Sequence, residues 1–296
     1  MIRYITDAIL GTVGRGQNKE IPTFINLAEL AANLTKDIRK SGLKRKGWRV
    51  DLFTNNIMDV ETSDKAVILM PDKHRWSETG LYNDVIGVVK PYISALGVES
   101  TIYGEPNALE SYLEVLGPFL KPNFTYESLL ESDKLFNYLD KSKIPTFGLG
   151  RRDLEILTTG LDSVRSAILT IIIGNGFEGK QLTQQEREIL DDQLKKGYSC
   201  INLPQVEHYD PEILYDNGKA LDSYTKINEV YHEYAVDRRS IESVVNIEKE
   251  LTKNAAEGFR PNVVGALMGE QHIDIILECT RTRGIQLIVI YNVKKF

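Results

Sequence analysis

The sequence is poor in the residues that hold extracellular or metal-stapled folds together. Its 296 residues contain two cysteines and four histidines. Cys200 and Cys279 stand far apart in apolar stretches, with no CxxC pair and no His-rich spacing around them. A disulfide framework or a zinc site needs denser ligands than this, so the expectation is a reduced, cytosolic setting with no metal and no bound cofactor. Long apolar runs are missing too: Ile168-Leu169-Thr170-Ile171-Ile172-Ile173 falls far short of a bilayer span of about 20 residues. The first ten residues carry Asp7 inside their apolar stretch and no small-residue cleavage site behind it, which reads as a first strand rather than an export signal. Excess positive charge is also absent. With 36 Lys and Arg against 42 Asp and Glu, the net charge is −6, so no molecule-wide field attracts duplex nucleic acid, and any phosphate site must be local.

What is present is ordinary globular composition, 42% hydrophobic and 26% charged, arranged in alternating strand and helix patterns. Tyr4 to Val13 reads as a strand ending in Gly11-Thr12-Val13-Gly14-Arg15-Gly16, and Phe24, Leu27, Leu30, Leu34 and Ile38 then recur at helical spacing. Arg49 to Thr54 and Ala66 to Met70 read as strands, the second stopped by Pro71-Asp72; Val85 to Leu96 and Leu109 to Leu116 read as helices around a short strand near Ser100 to Tyr103. Pro118 to Pro145 reads as a surface excursion. Leu154 to Leu157 reads as a strand running into Thr158-Thr159-Gly160, and the apolar residues at 161, 164, 168 and 171 then take helix spacing. A second helix carries Leu182, Ile189, Leu190 and Leu194, and Ser199 to Leu203 reads as a strand. Beyond a boundary near 204, Lys219 to Glu257 is helical, and a strand (Val263 to Leu267), a helix (Gln271 to Arg281) and a last strand (Gln286 to Asn292) complete the chain. This alternation predicts an α/β fold on a mostly parallel sheet, with domains over 1–204 and 205–296.

Three strand-end turns stand out as phosphate-site candidates: Gly11 to Gly16 with Thr12, Gly14 and Arg15; Pro71-Asp72-Lys73; and Thr158-Thr159-Gly160 ahead of a helix. Parallel strands end along one edge, and helix N-termini there offer free N–H groups to anions. The bland alternative is that Thr159 caps its helix and the glycines merely permit tight turns. Gly174 to Lys180 matches the G-x-x-x-x-G-K spacing, but Gln181 stands where the magnesium-binding Ser or Thr belongs and the preceding residues have helix spacing, so a plain helix stop is the better reading. The basic run from Lys36 to Arg49 with Trp48 reads as a solvated helix end, and His74, Arg75 and Trp76 lie just beyond the second turn.

The turn after strand one, the stretch Lys65-Ala66-Val67-Ile68-Leu69-Met70-Pro71-Asp72 and the stretch Leu154 to Ser166 together resemble CRISPR-associated Rossmann-fold (CARF) domains over residues 1–204. The resemblance implies a Rossmann-like, mostly parallel sheet with helices on both faces. It also implies a homodimer holding a cyclic oligoadenylate across its two-fold axis, within CRISPR type III antiviral defence. The ligand-binding residues it implies are Gly11, Thr12, Gly14, Arg15, Asp72, Lys73, Thr158, Thr159 and Gly160. The smaller C-terminal α/β segment lacks the Arg-x4-His of that family's ribonuclease partner and the Glu-x-Lys of its other nuclease partner, so an effector acting on RNA is left open.

Gly269-Glu270-Gln271-His272 follows a strand and opens a helix. It resembles the Gly-x-x-His motif of TraB, TIKI and erythromycin-esterase-like hydrolases, although Gly14 stands where their second His would fall. That resemblance implies His272 as catalytic base with Glu270 and Asp274 beside it, against the bland reading of a half-exposed His in a helix's first turn. A nucleotide-binding assembly protein with no catalysis is the third reading. His208 and His232 have no matching ligands.

Overall fold

The computed structural model describes residues 26–53, 65–72, 81–100, 108–120, 123–132, 134–176, 182–258 and 262–293. These form two compact units, one within Met1–Pro106, Thr125–Gly150 and Ser240–Phe296, the other within Asn107–Phe124 and Arg151–Arg239. The chain therefore does not divide at 204. Its last two strands belong to the same sheet as the first four, and the helical segment is inserted between them.

The first unit is built on α1 (Leu27–Lys40), β1 (Trp48–Phe53), β2 (Ala66–Asp72), α2 (Leu81–Val89) and β3 (Leu96–Val98). After an excursion to the other unit come α4 (Tyr126–Ser132), α5 (Lys134–Ser142) and β4 (Thr146–Gly148), and later α10 (Arg239–Ala256), β5 (Val263–Gly269), α11 (Ile273–Thr282) and β6 (Gln286–Asn292). The strands lie in the order β1-β6-β2-β5-β3-β4, all neighbours parallel except β1 with β6. This is an α/β, Rossmann-like fold. Every residue of β2 and β5 is buried, as expected of central parallel strands covered on both faces, whose sequences run apolar without alternating. The antiparallel edge strand β1 has exposed Asp51 and Phe53. Asn26 caps α1 by accepting the Glu29 N–H at 2.9 Å, and Leu27, Leu30, Leu34 and Ile38 form its buried stripe.

The connection from β2 to β3 passes over β5, and that from β5 to β6 passes back over β2. Crossovers between parallel strands are right-handed, so these two, running in opposite directions, lie on opposite faces of the sheet. On one face Val244, Ile247 and Leu251 of α10 and Ile276 of α11 pack with Val67, Leu69, Val264, Ala266, Met268, Leu287 and Val289. Neighbouring strand ends whose loops leave to opposite faces open a crevice, the place where open α/β sheets bind ligands. Helix α2 ends at Val89 and the chain is already extended as β3 at Leu96, sooner than the periodicity predicts, because Pro91 breaks the helix in a short 3-10 turn.

The second unit is helical: α3 (Ala108–Leu116), α6 (Arg152–Gly176), α7 (Gln184–Ser199), α8 (Pro211–Leu214) and α9 (Asn217–His232), the last continuing into a π-helical turn over Glu233–Arg238. Two expected strands are corrected here. Leu154 to Leu157 is the first turn of a 25-residue helix, and Ser199 to Leu203 is the end of α7 and the irregular chain after it. A four-residue apolar run fits strand and helix equally, and the helix wins because Leu154, Leu161, Val164, Ile168 and Ile171 share one buried stripe against Leu190, Leu194, Ala220 and Ile227. Over Arg152–Gly174 this helix is long and apolar enough to cross a membrane, with mean hydropathy 1.5; here its stripe is the core of the helical unit.

Thr158-Thr159-Gly160 is accordingly no strand-end turn. The Thr158 hydroxyl donates to the Glu155 carbonyl at 3.2 Å, and Gly160 sits where α6 crosses α7, since a Cβ there would lie 2.7 Å from the Gly197 carbonyl oxygen and 2.7 Å from Cys200 Cβ. Replacing an interior helical glycine by alanine ordinarily gains about 1 kcal/mol. Gly160→Ala is expected instead to destabilise the protein by about 1–3 kcal/mol, because the obstacle is backbone, whereas Gly218→Ala, where a Cβ meets nothing closer than 3.4 Å, should be tolerated. Chemical denaturation of both variants checks the contrast.

Candidate functional site

Strands β2, β5 and β3 end side by side, and each end brings a carboxylate. The β2–β5 register sets Asp72 opposite Gly269. Glu99 follows β3 directly and turns back onto β5: its N–H donates to the Leu267 carbonyl at 3.1 Å, and its Oε2 accepts the Gly269 N–H at 2.8 Å. Glu270 opens the 3-10 turn after β5, which His272 closes. The other Glu99 oxygen, Oε1, lies 3.2 Å from His272 Nε2, and His272 Nδ1 lies 2.8 Å from Ser240 Oγ in the first turn of α10. A carboxylate only accepts, so Nε2–H donates to Glu99, while Nδ1 and the Ser240 hydroxyl share the second hydrogen bond.

His272 and Ser240 are both 0% exposed. Serine, histidine and glutamate in a line invite comparison with a nucleophilic triad, but a nucleophile must meet its substrate, and this hydroxyl does not reach the surface. The line works in the other direction: it anchors Glu99 against the end of β5. His272 is thus a buried positioning group and not the half-exposed residue expected.

Asp72 is the responsive member. It is 7% exposed, and its Oδ1 is buried without a hydrogen bond among the described residues. Burial first, then the negative charges of Glu99 and Glu270, push its pKa from the ordinary aspartate range up to about 7. Tyr82 of α2 donates its hydroxyl to the Pro71 carbonyl beside it, and burial together with Asp72 and Glu270 pushes this phenol upward too. A carboxyl that is half protonated near neutral pH, at the carboxyl edge of a parallel sheet and short of a partner, has the properties of a proton donor and acceptor toward a ligand.

Of the sequence-derived candidates, Asp72, Glu270 and His272 belong to this site. Asp274 does not: it is on the exposed side of α11, where it lines a surface cavity of about 410 Å³ with Phe53, Glu278 and Arg281, because the helix turns its 272, 276 and 280 positions inward. Thr158, Thr159 and Gly160 belong to the helical unit, which removes the geometric reason for grouping them with Asp72. Gly11, Thr12, Gly14, Arg15 and Lys73, with His74, Arg75 and Trp76, lie outside the described residues. Sequence reasoning missed Glu99, although it closes the apolar run Ala95 to Val98 as a strand-ending acid, and Ser240, one of many polar residues in a helix. Among the described residues, no three His, Cys, Asp or Glu side chains stand together as a metal site. No protein-family model matches the chain, and no curated protein or solved structure matches it.

The folded chain protonates Asp72 at higher pH than the unfolded chain, so this group's contribution to stability falls as pH rises from about 4 to about 7. Asp72→Asn should therefore be more stable than the natural protein at pH 8, by at most about 4 kcal/mol, with the difference closing below pH 4. Urea denaturation across that range measures it. Glu99→Gln removes one of the two charges facing Asp72 and should move its titration, followed by carbon NMR of the carboxyl group, to lower pH.

Proposed function

We propose that this chain binds a small polar ligand at the carboxyl edge of β2, β5 and β3, and that Asp72 exchanges a proton with it as general acid or base. The observation that carries this reading is the Asp72 carboxyl: buried at a topological switch point, without a hydrogen bond on Oδ1, and titrating near 7. Glu99 and Glu270 set its protonation, and His272 and Ser240 hold Glu99 in place. The substrate class this favours is neutral at the point of contact, a hydroxyl, amide or ester carbonyl, because a phosphate seated against three carboxylates would meet like charge in a desolvated place. The chemistry is of a hydrolytic or proton-transfer kind, with His272 acting through Glu99 rather than on the substrate.

A thermal-shift screen of nucleosides, sugars and small esters, run at pH 6 and pH 8, tests it, since a ligand that binds only the folded state raises its apparent stability. Binders should stabilise the natural protein to different degrees at the two pH values and Asp72→Asn to the same degree. A binder whose effect is identical in both proteins at both pH values would sink the proposal.

A second reading, a cytosolic homodimeric sensor of a cyclic oligoadenylate, is favoured by one observation, the reversal of strand order in a Rossmann-like sheet, the position at which folds of this class bind nucleotides. In it the carboxylates would accept from ribose hydroxyls and the adenine amino group. Cyclic tetra- and hexa-adenylate should then raise the melting temperature where linear oligoadenylates do not, and sedimentation should show a dimer. A monomer with and without the rings would remove this reading.

A further inference from the structure

Seven of the fourteen residues from Lys36 to Arg49 are Lys or Arg, against one acid, Asp37, on a chain whose net charge is −6. The reading of Asp72 does not involve them. They occupy the end of α1 and the reversal that leads into β1, and this reversal is rigidly built. Gly42 and Gly47 take the left-handed conformation, with φ 77° and 101°, which glycine adopts without steric cost. The Lys44 N–H returns to the Ile38 carbonyl at 3.2 Å, the Arg45 N–H to Gly42 at 3.0 Å, the Gly47 N–H to Lys44 at 3.1 Å and the Trp48 N–H to Leu43 at 3.1 Å. Leu43 and Trp48, each 1% exposed, anchor the turn in the core. Lys44, Arg45 and Lys46 are thereby held at the end of the helix, after Lys36, Arg39 and Lys40, which share one helix face at i, i+3 and i+4. All six are exposed.

A helix C-terminus accounts for only part of this charge. Its dipole favours cations in the last turn, where Arg39 and Lys40 stand; Lys36 precedes that turn and Lys44 to Lys46 follow it. Acids neutralise only part of the remainder. Asp37 accepts the Tyr92 hydroxyl and lies 3.6 Å from Lys40, and Asp84 lies 2.8 Å from Lys46. Lys36, Arg39 and Lys44 enter no ion pair among the described residues. Every exposed residue of the segment is Lys or Arg except Ser41, so an occupant must bind through charge alone. A protein interface has an apolar centre, a membrane-surface helix needs an exposed apolar stripe, and an unstacked base needs a ring face. The segment offers none of these: the stripe of α1 is buried, and Trp48 packs edge to face with Tyr82, centroids 5.5 Å apart, inside the core. A phosphate backbone whose bases are already stacked asks only for cations.

We infer that the end of α1 and the turn after it form a docking surface for the phosphate backbone of double-stranded nucleic acid, contacted without regard to sequence. Fluorescence anisotropy of the full chain with labelled duplexes of about 20 base pairs, in unrelated sequences, tests this. The duplexes should bind equally and more tightly than their separated strands. With about four phosphates engaged, affinity should fall about a hundredfold between about 50 and about 200 mM salt. Lys36→Gln, Arg39→Gln and Lys44→Gln combined should weaken duplex binding by about tenfold or more and lower the slope of log affinity against log salt by about three. Lys219→Gln, Lys249→Gln and Lys253→Gln combined, which change the net charge equally at exposed lysines elsewhere, should bind as the natural protein does. Circular dichroism should show both variants folded, since every substituted residue is exposed. Absence of duplex binding by the natural protein at the lower salt, equal weakening by the two variants, equal binding of a single strand, or capture by phosphatidylserine vesicles in place of the duplex overturns the inference.

Discussion

The β2–β5 ladder is the constraint on which the first unit depends. It pairs Ala66 with Val263 through to Asp72 with Gly269, and each of these residues is buried. Because the two strands are parallel and covered on both faces, every backbone polar group in them must be answered by a neighbouring strand. β6 and β3 answer them on either side. The ladder continues one pair beyond the apolar run, and the residue it carries there is an aspartate. The unusual titration of Asp72 is thus a consequence of sheet register: a slip of one residue would turn this side chain to the opposite face.

Around that carboxyl the site separates two tasks. Glu99 is held at both oxygens, by Gly269 and by His272, and is fixed in position. Asp72 keeps one oxygen unmet and is free to change protonation. Like charges gathered at a buried edge are unfavourable unless some are tied by donors and others accept protons, and the cluster uses both means. The serine and histidine behind Glu99 are therefore support for a carboxylate, although their order along the hydrogen-bond line is the one seen in nucleophilic sites.

The helical unit is organised by close backbone approach. Gly160 and Gly197 face each other across α6 and α7, with no space for a Cβ at either. The inward stripe of α9 ends with Tyr234 in the π-helical turn, and that of α10 begins at Ser240. A π turn inserts an extra residue and rotates the helix face that follows, so one continuous helical stretch supplies buried residues to two cores and presents Ser240 to His272.

How much of this the sequence determined by itself follows from the range of each interaction. Strand β6 reads off at Gln286 to Asn292, and the stripes of α1 and of α6 beyond Leu161 are legible, because hydrophobic periodicity is a local property of neighbouring turns and pleats. Asp72, Glu270 and His272 were legible as polar residues placed where apolar strands stop. The sequence misled at Thr158-Thr159-Gly160, where a glycine that reads as a turn is demanded by a helix crossing 37 positions further along, at Gly197. Only the tertiary structure decided that β5 enters the sheet between β2 and β3, that Glu99 turns onto the end of β5, and that Ser240 meets His272 from another helix. Those partners are distant in sequence, and the free energy that joins them comes from burying surfaces no local pattern describes.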